Sequence, residues 1–243
     1  MSKTFRLYIK EELVPDKIIE LPTEQTHYLK NVVKYSPQDT LNCFDNKNGE
    51  FTCQIAEDNK KSLKIKVLKK IREHRLCPDI WLLFAPLKKD NTDFVIEKAT
   101  ELGVRCIIPT LTQYTNTTHI KIERYVAQSI EAAEQCRRTD LPQIQTPQTL
   151  KDILNTWPKD RFLYFMDETM QSQPFLSLLK NNTSDKVAIL IGPEGGFSKE
   201  ELVLLRNHRN THGATLGPRI LRAETAVVSA LSCWQMLAGD WSK

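Results

Sequence analysis

The chain of 243 residues contains no apolar run close to the roughly 20 residues that a membrane-spanning helix needs. Its first residues, Met1 to Arg6, lack the long apolar stretch of a secretory signal peptide. Internal repeats and low-complexity tracts are also absent. Hydrophobic residues make up 40% of the chain and charged residues 26%, which favours a folded core over long disordered segments. We therefore expect a soluble, cytoplasmic protein with no membrane partner.

The six cysteines form no C-x-x-C pair, and none lies near a histidine at the spacing of zinc ligands. This pattern predicts reduced, mostly buried thiols in a reducing compartment, and no metal. A nucleophilic cysteine would need a positioned base, and the sequence shows none. The cysteines are Cys43, Cys53, Cys77, Cys106, Cys136 and Cys233.

The net charge of +4 comes entirely from the N-terminal third of the chain. Residues 1–75 carry 15 Lys and Arg against 11 Asp and Glu, whereas the remainder carries 19 residues of each sign. This mild surplus is compatible with an RNA-contacting module attached to a neutral enzyme. It is equally compatible with an ordinary solvated lysine surface.

Residues 1–75 have the pattern of a small module of short strands. Strand-like alternation occurs at 5–9, 40–44, 50–56 and 62–67, turn residues occupy 45–49, and a short helix is plausible at 24–34. Such closely spaced strands predict a small β-barrel.

From residue 76 onward, strand and helix patterns alternate. Continuous apolar runs at 80–86, 104–109, 162–166 and 187–191 indicate strands covered on both faces, and helical patterns occur at 91–102, 120–136 and 222–238. This alternation predicts an α/β fold with a parallel sheet. Ser198 and Glu201 predict a capping box at the start of a further helix, and we expect His119 to cap a helix or face solvent.

Two glycine-bearing segments near the C-terminus carry the main functional signal: Ile191-Gly192-Pro193-Glu194-Gly195-Gly196 and Leu216 to Ala226. Each follows a short apolar run and precedes a helical pattern, a layout that places ligands at the carboxyl ends of parallel strands. Glycine lets backbone amides approach a ligand closely because it has no Cβ. Taken alone, the same glycines could be structural turn residues.

The kind of ligand is limited by what these segments lack. Neither contains a Walker phosphate loop or a G-x-G-x-x-G dinucleotide fingerprint. Glu194 and Glu224 would repel a pyrophosphate, so a ligand with an adenosine part and a positive centre fits better. S-adenosylmethionine (SAM) has both, because it carries a sulfonium and an ammonium group.

Residues 191–202 read IGPEGGFSKEEL, and residues 216–226 read LGPRILRAETA. Both segments resemble the RsmE-type 16S ribosomal RNA uridine methyltransferases, a group within the SPOUT superfamily of knotted methyltransferases. Four further segments resemble family segments in the same order: RLYI, HYLKNVVKYSPQD, KKDNTDFVIEKATELGV and EAAEQCRRTDLP. The ordered set covers nearly the whole chain.

The resemblance implies a PUA-like β-barrel RNA-binding domain at 1–75 and a SPOUT methyltransferase domain at 76–243 that ends in a trefoil knot. It also implies a homodimer with parts of both subunits near each active site. The implied reaction is SAM-dependent methylation of uridine N3 in 16S ribosomal RNA, with that RNA or the small ribosomal subunit as partner. The cofactor would be held in the knot by Gly192, Pro193, Glu194, Gly195, Gly196, Leu216, Gly217, Ile220, Leu221 and Ala226.

The chain departs from the family pattern at three positions that affect RNA contact. Lys34 stands where the family often has arginine, the turn at 45–49 replaces a more glycine-rich one, and a glycine expected near Arg137 is missing. The cofactor segments show no such departure.

Methylation of uracil N3 requires removal of its proton or stabilisation of the remaining anion. A guanidinium can stabilise negative charge on O2 or O4, and Arg222 and Arg138 are the candidates. A carboxylate can take the proton, and Glu134 or Glu224 would serve. Two structural alternatives remain open, namely a surface ion pair for Arg222 and a helix-dipole contact for Glu224.

Contacts with RNA are expected at Arg6, His27 and Lys34 of the N-terminal module, although a structural role for His27 is an equal alternative. Two other functions stay open on sequence alone. One is a non-catalytic RNA-binding ribosome-assembly factor that retained the fold. The other is an oxidoreductase with a nicotinamide at the switch point of the sheet.

Overall fold

A computed structural model describes residues 5–59, 62–117, 120–181 and 184–242, which form two compact units. The first unit runs to Leu76 and includes Ala133–Leu141. The second comprises Cys77–Ala132 and the residues from Pro142 onward. His119, expected to cap a helix or face solvent, lies outside the described residues. Within them, no helix combines the length and apolar character needed to cross a membrane.

The first unit is built on a sheet of five strands: Arg6–Tyr8 (β1), Ile18–Glu20 (β2), Thr40–Phe44 (β3), Glu50–Asn59 (β4) and Ser62–Arg72 (β5). Their order is β1-β3-β4-β5-β2, with β1 parallel to β3 and the other pairs antiparallel. Alternation along β5 buries Leu63, Ile65 and Val67 and leaves the lysines between them half-buried. The predicted strands are therefore present. The short β2 was not predicted, because a single buried residue gives no readable alternation.

The helix predicted at 24–34 is present in two parts. Helix α1 (Thr23–His27) continues into a π-helical segment, Tyr28–Val33. The chain leaves this segment at Lys34 with a left-handed φ of 59°. Arg137, near the position where the family has a glycine, also has a left-handed φ, of 64°. A residue with a Cβ thus occupies a conformation that glycine adopts more easily.

The described residues of the second unit form eight strands: Ile80–Phe84 (β6), Cys106–Leu111 (β7), Gln143–Ile144 (β8), Gln148–Thr149 (β9), Phe162–Met166 (β10), Gln173–Pro174 (β11), Val187–Ile191 (β12) and Thr211–Thr215 (β13). They pair only in parallel, in the order β11-β13-β10-β12-β6-β7-β8, with β9 paired to β7. The predicted parallel α/β sheet is confirmed. The short β8, β9 and β11 and the polar β13 were not predicted, because they lack an apolar run.

Six helices connect or follow these strands: Lys89–Glu101 (α2), Ile122–Cys136 (α3), Leu150–Asn155 (α4), Phe175–Lys180 (α5), Lys199–Asn207 (α6) and Ala223–Leu237 (α7). A single 3₁₀ turn, Asp240–Ser242, follows α7. The helix predicted at 91–102 is α2, which ends at Glu101. Gly103, two residues further on, has the left-handed φ of 74° that is typical of a glycine closing a helix, as predicted.

The sheet of the second unit separates two hydrophobic cores. Successive residues of the central strands enter opposite cores, so Leu82 and Ile189 lie in one core while Leu83 and Leu190 lie in the other. Helices α2, α5 and α7 contribute to the first core, and α4 and α6 contribute to the second. Burial on both faces explains why the central strands are continuous apolar runs in the sequence.

The six cysteines are free thiols, as predicted. Cys43, Cys53 and Cys106 are buried and the others are partly buried. Burial raises the pKa of Cys106 to about 11 and raises that of Cys43 well above its usual value. These thiols are therefore protonated and poorly nucleophilic near neutral pH.

The capping box predicted from Ser198 and Glu201 is present at the start of α6. The Glu201 N–H donates to Ser198 Oγ at 3.1 Å, and the Ser198 N–H donates to Glu201 Oε2 at 2.9 Å. This box fixes the point at which the first glycine segment becomes helix.

Replacing Ser198 with Ala should lower the free energy of unfolding by about 1 kcal/mol, because a helix N–H loses its acceptor. Ser198→Asp keeps an acceptor and should retain most of the stability. Urea denaturation of both variants measures the difference. Equal stability of Ser198→Ala and the wild type would contradict the capping role.

Candidate functional site

A cavity of about 630 Å³ opens at the carboxyl ends of four neighbouring strands of the second unit, β13, β10, β12 and β6. The residues that follow each strand line it: part of 216–226 after β13, Asp167, Glu168 and Met170 after β10, 192–196 after β12, and Lys88 with Asn91 after β6. Parallel strands end at a common edge of their sheet, so segments far apart in the sequence converge there.

All of the residues predicted to bind the cofactor line this one cavity, and Arg222 and Glu224 line it with them. The two glycine segments therefore border a single site, although contact with a cofactor stays a prediction. The predicted set is Gly192, Pro193, Glu194, Gly195, Gly196, Leu216, Gly217, Ile220, Leu221 and Ala226.

The first glycine segment makes a tight turn in which the Gly196 N–H donates to the Pro193 carbonyl at 2.9 Å. Gly196 has a left-handed φ of 71°, and a Cβ on it would lie 2.2 Å from Glu168 Oε1. Gly217, in the second segment, has a φ of 105°, but a Cβ there would meet no atom within 4 Å. At Gly196, glycine is favoured both by the left-handed backbone and by the lack of room for a Cβ. At Gly217, it is favoured by the left-handed backbone alone.

Two carboxylates that follow β10 face different surroundings. Glu168 is half-buried, and its Oε1 accepts the Phe197 N–H at 2.9 Å. Asp167 is buried, and its oxygens accept hydrogen bonds from Thr169, Ser172 and Arg206. Burial alone would raise the pKa of Asp167, but these hydrogen bonds hold that pKa below its usual value. Asp167 is therefore ionised at neutral pH.

Charged side chains of both signs surround the opening of the cavity. Lys88, Arg219 and Arg222 are exposed cations, and Glu194 is an exposed carboxylate. Arg222 occupies the N-cap position of α7. Within the described part of the chain its guanidinium forms no hydrogen bond or ion pair, so the surface ion pair considered for it is not present there. This guanidinium is available to a ligand.

The two other predicted catalytic residues, Arg138 and Glu134, belong to the first unit. Arg138 is buried and forms a two-point ion pair with the buried Asp140, at 3.0 and 3.1 Å. Glu134 Oε1 accepts the Tyr8 N–H at 2.8 Å. Neither is among the described residues that line the cavity, and their part in catalysis stays a prediction.

The three predicted RNA-contacting residues differ in exposure. Arg6 is buried, donates to the Ala133 carbonyl at 2.5 Å and to the Arg138 carbonyl, and pairs with Glu50 at 3.2 Å. The structure thus gives Arg6 a role inside the first unit. His27 and Lys34 are exposed. RNA contact stays a prediction for all three.

Several residues of the cavity were not identified from the sequence: Lys88, Asn91, Asp167, Glu168, Met170 and Arg219. A usable signal was present for most of them. Polar residues that directly follow a buried parallel strand lie at the ligand edge of the sheet, and both the 80–86 and 162–166 runs were recognised as such strands.

Comparisons with known proteins agree with this arrangement. Residues 73–235 match a family model described as an RNA methyltransferase domain, and residues 21–68 match one described as an RNA methyltransferase PUA domain. The chain is 32% identical to ribosomal RNA small subunit methyltransferase E of Rickettsia conorii, with 96% of this chain and 95% of that protein covered.

Two solved structures share the fold over almost the whole chain. One is a Legionella pneumophila protein assigned as a methyltransferase and solved with the bound cofactor SAM, with 30% identity, a TM-score of 0.87 and coverage of 98% and 99% of the two chains. The other is ribosomal RNA small subunit methyltransferase E of Neisseria gonorrhoeae bound to S-adenosyl methionine, with 26% identity, the same TM-score and the same coverage.

The two glycine positions can be compared directly by alanine substitution. Gly217→Ala should cost about 1–2 kcal/mol of unfolding free energy through backbone strain alone. Gly196→Ala should cost clearly more, because its Cβ would also collide with the Glu168 carboxylate. Chemical denaturation of the two variants gives the difference, and equal losses would show that the close approach to Glu168 is unimportant.

Proposed function

Because the chain belongs to the family of ribosomal RNA small subunit methyltransferase E proteins, we propose that it transfers a methyl group from SAM to 16S ribosomal RNA. We further propose N3 of a uridine as the acceptor atom. The observation that carries this proposal is the single cavity at the ends of four parallel strands, lined by both glycine segments.

The cavity fits SAM in size, and its residues fit SAM in charge. Its volume is within the range of small-molecule sites. The glycine turn leaves backbone groups open to close approach. The carboxylates of Glu194 and Glu224 suit a ligand that carries positive charge. We propose that the ten predicted residues around the two glycine segments hold the cofactor, which when bound supplies an electrophilic methyl group.

The chain's own residues would bind the uracil, remove its N3 proton and stabilise the negative charge that develops on it. Arg222 lines the cavity and has no partner in the described part of the chain, so its guanidinium can stabilise negative charge on O2 or O4 of the base. Glu224, two residues further along the same segment, or Glu134 would take the N3 proton. Arg138 remains a second proposed charge-stabilising group.

The homodimer implied by the family resemblance would explain how Arg138 and Glu134, which are not among the described residues lining the cavity, can take part in the reaction. In that assembly both subunits contribute near each active site, so Arg138 and Glu134 of one copy can serve the cavity of the other. Such a role for Arg138 would use a guanidinium already oriented by Asp140. Homodimerisation and this sharing of residues are part of the proposal.

We also propose that the C-terminal segment of the SPOUT domain threads a trefoil knot. Support comes from β13, which pairs between β11 and β10 and is followed by a cavity-lining segment, and from α7, which packs against both α2 and α5. The proposed domain boundary stays near residue 75, with a PUA-like RNA-binding domain before it. A ribosomal RNA substrate corresponds to a cytoplasmic location.

A non-catalytic assembly factor is the main alternative, and no residue of the cavity favours it over an enzyme. A nicotinamide oxidoreductase has less support, because the two solved structures that share this fold were solved with bound SAM.

Mass spectrometry of 16S ribosomal RNA from a strain lacking this protein tests the reaction. We expect N3-methyluridine to disappear at one position and to return with the wild-type gene. Calorimetry should show SAM binding to the purified protein and no binding of NAD. Persistence of every N3-methyluridine, together with normal SAM binding, would favour the assembly factor.

Substitution of Arg222 by Ala tests its proposed part in the chemistry. Loss of one charge-stabilising group should lower the single-turnover methylation rate on small-subunit particles by about 10²–10³-fold, with SAM affinity changed far less. Arg209→Ala is the matched control, because Arg209 is also exposed and lies outside the cavity lining. Normal single-turnover rates for Arg222→Ala would remove Arg222 from the mechanism.

A further inference from the structure

The segment after β10 is bonded at two points to the segment that follows β12. Its residues Asp167 and Glu168 line the cavity, and so do Gly192–Gly196. The bonds between the two segments lie on either side of the start of α6. We refer to the paired contacts Glu168–Phe197 and Asp167–Arg206 as the clasp.

The first contact of the clasp lies directly behind the glycine turn. Glu168 Oε1 accepts the Phe197 N–H at 2.9 Å, and the same oxygen lies where a Cβ of Gly196 would be. The Phe197 ring in turn lies against Gly192, where an added Cβ would approach it to 3.1 Å. One carboxylate oxygen therefore fixes the backbone at the end of a turn whose beginning is held by the Phe197 ring.

The second contact of the clasp lies at the C-terminal end of α6, nine residues after Phe197 in the sequence. Arg206, near the end of α6, donates to Asp167 Oδ2 at 3.1 Å. That oxygen also accepts the Ser172 hydroxyl at 2.6 Å, while Thr169 donates to Asp167 Oδ1 from its N–H and its hydroxyl. Asp167 is thus held rigidly from within its own segment and presents a fixed point to Arg206.

We propose that Glu168 is a positioning residue of the methyl-transfer site, which holds the Gly192–Gly196 turn in its ligand-binding shape through the Phe197 N–H. The Asp167–Arg206 ion pair supports the same turn from the far end of α6. This proposal rests on the proposed function, because the turn matters through the cofactor that it binds. A turn held before the ligand arrives needs no ordering on binding, which raises affinity.

The two bonds are expected to contribute unequally. The Glu168 bond is half-buried and joins a carboxylate to a backbone N–H, which makes it a strong hydrogen bond. The Arg206 side chain is 42% exposed, so solvent screens its ion pair with Asp167. Loss of Glu168 should therefore disturb the turn much more than loss of Arg206.

Three variants distinguish a positioning role of Glu168 from a purely structural role and from direct electrostatic contact with the ligand. Glu168→Ala should weaken SAM binding about tenfold by calorimetry, because one charge-assisted hydrogen bond is lost. Glu168→Gln keeps an oxygen acceptor and should stay within about threefold of the wild type. Glu131→Ala, an exposed carboxylate of α3 away from the cavity, is the control and should bind normally.

Each outcome decides between these roles. Weak binding by both Glu168→Ala and Glu168→Gln would show that the charge contacts the ligand directly, and would overturn the positioning role. Unchanged affinity of Glu168→Ala with a lowered melting temperature would overturn it in favour of a purely structural role. Absence of SAM binding by the wild type would instead refute the proposed function itself.

Arg206 is not among the described residues that line the cavity, so its substitution tests the second contact of the clasp without removing a possible ligand contact. Arg206→Ala should weaken SAM binding by about two- to threefold, since a half-exposed ion pair contributes little. Arg209→Ala removes the same charge three residues further on and should leave the affinity unchanged. Equal affinities for the two arginine variants would remove the ion pair from the clasp.

Discussion

Parallel pairing of four strands is the constraint on which the rest of the second unit depends. β13, β10, β12 and β6 lie side by side and end at the same edge, so every segment that leaves them opens into one cavity. The pairing is stable because the sheet is buried on both faces, with every residue of Val187–Ile191 inaccessible to solvent. Burial of the apolar strands thus brings together polar residues that are far apart in the sequence.

The first unit shows how burial changes the role of a charged residue. Arg6 has the side chain expected of a phosphate contact, yet its guanidinium is bonded to carbonyls of 133–141 and to Glu50. Burial lowers the pKa of Arg6, and the ion pair with Glu50 opposes that shift. His27 and Lys34, by contrast, stay exposed. The sequence offers all three residues as candidate RNA contacts, and only the packing of the first unit distinguishes the buried Arg6 from the exposed His27 and Lys34.

Within the cavity, charge is distributed by what each side chain is bonded to. Asp167 is ionised but saturated with hydrogen bonds, so it serves as an internal support. Glu168 uses one oxygen for the backbone of the glycine turn, and Arg222 has no partner in the described chain. A ligand therefore meets a rigid turn and an uncommitted cation. The cation suits a base on which negative charge develops.

The sequence by itself determined the elements that depend on local pattern. Apolar runs identified the central strands, and Ser198 with Glu201 identified the start of α6. The glycine segments identified the edge of the sheet at which the cavity opens. Side-chain periodicity and backbone freedom are local properties, so a sequence records them. Only the tertiary structure decided that Asp167 and Glu168 join the glycine segments, that Arg6 is buried, and that 133–141 belongs with the first unit. These depend on contacts between residues distant in the chain, which no local pattern records.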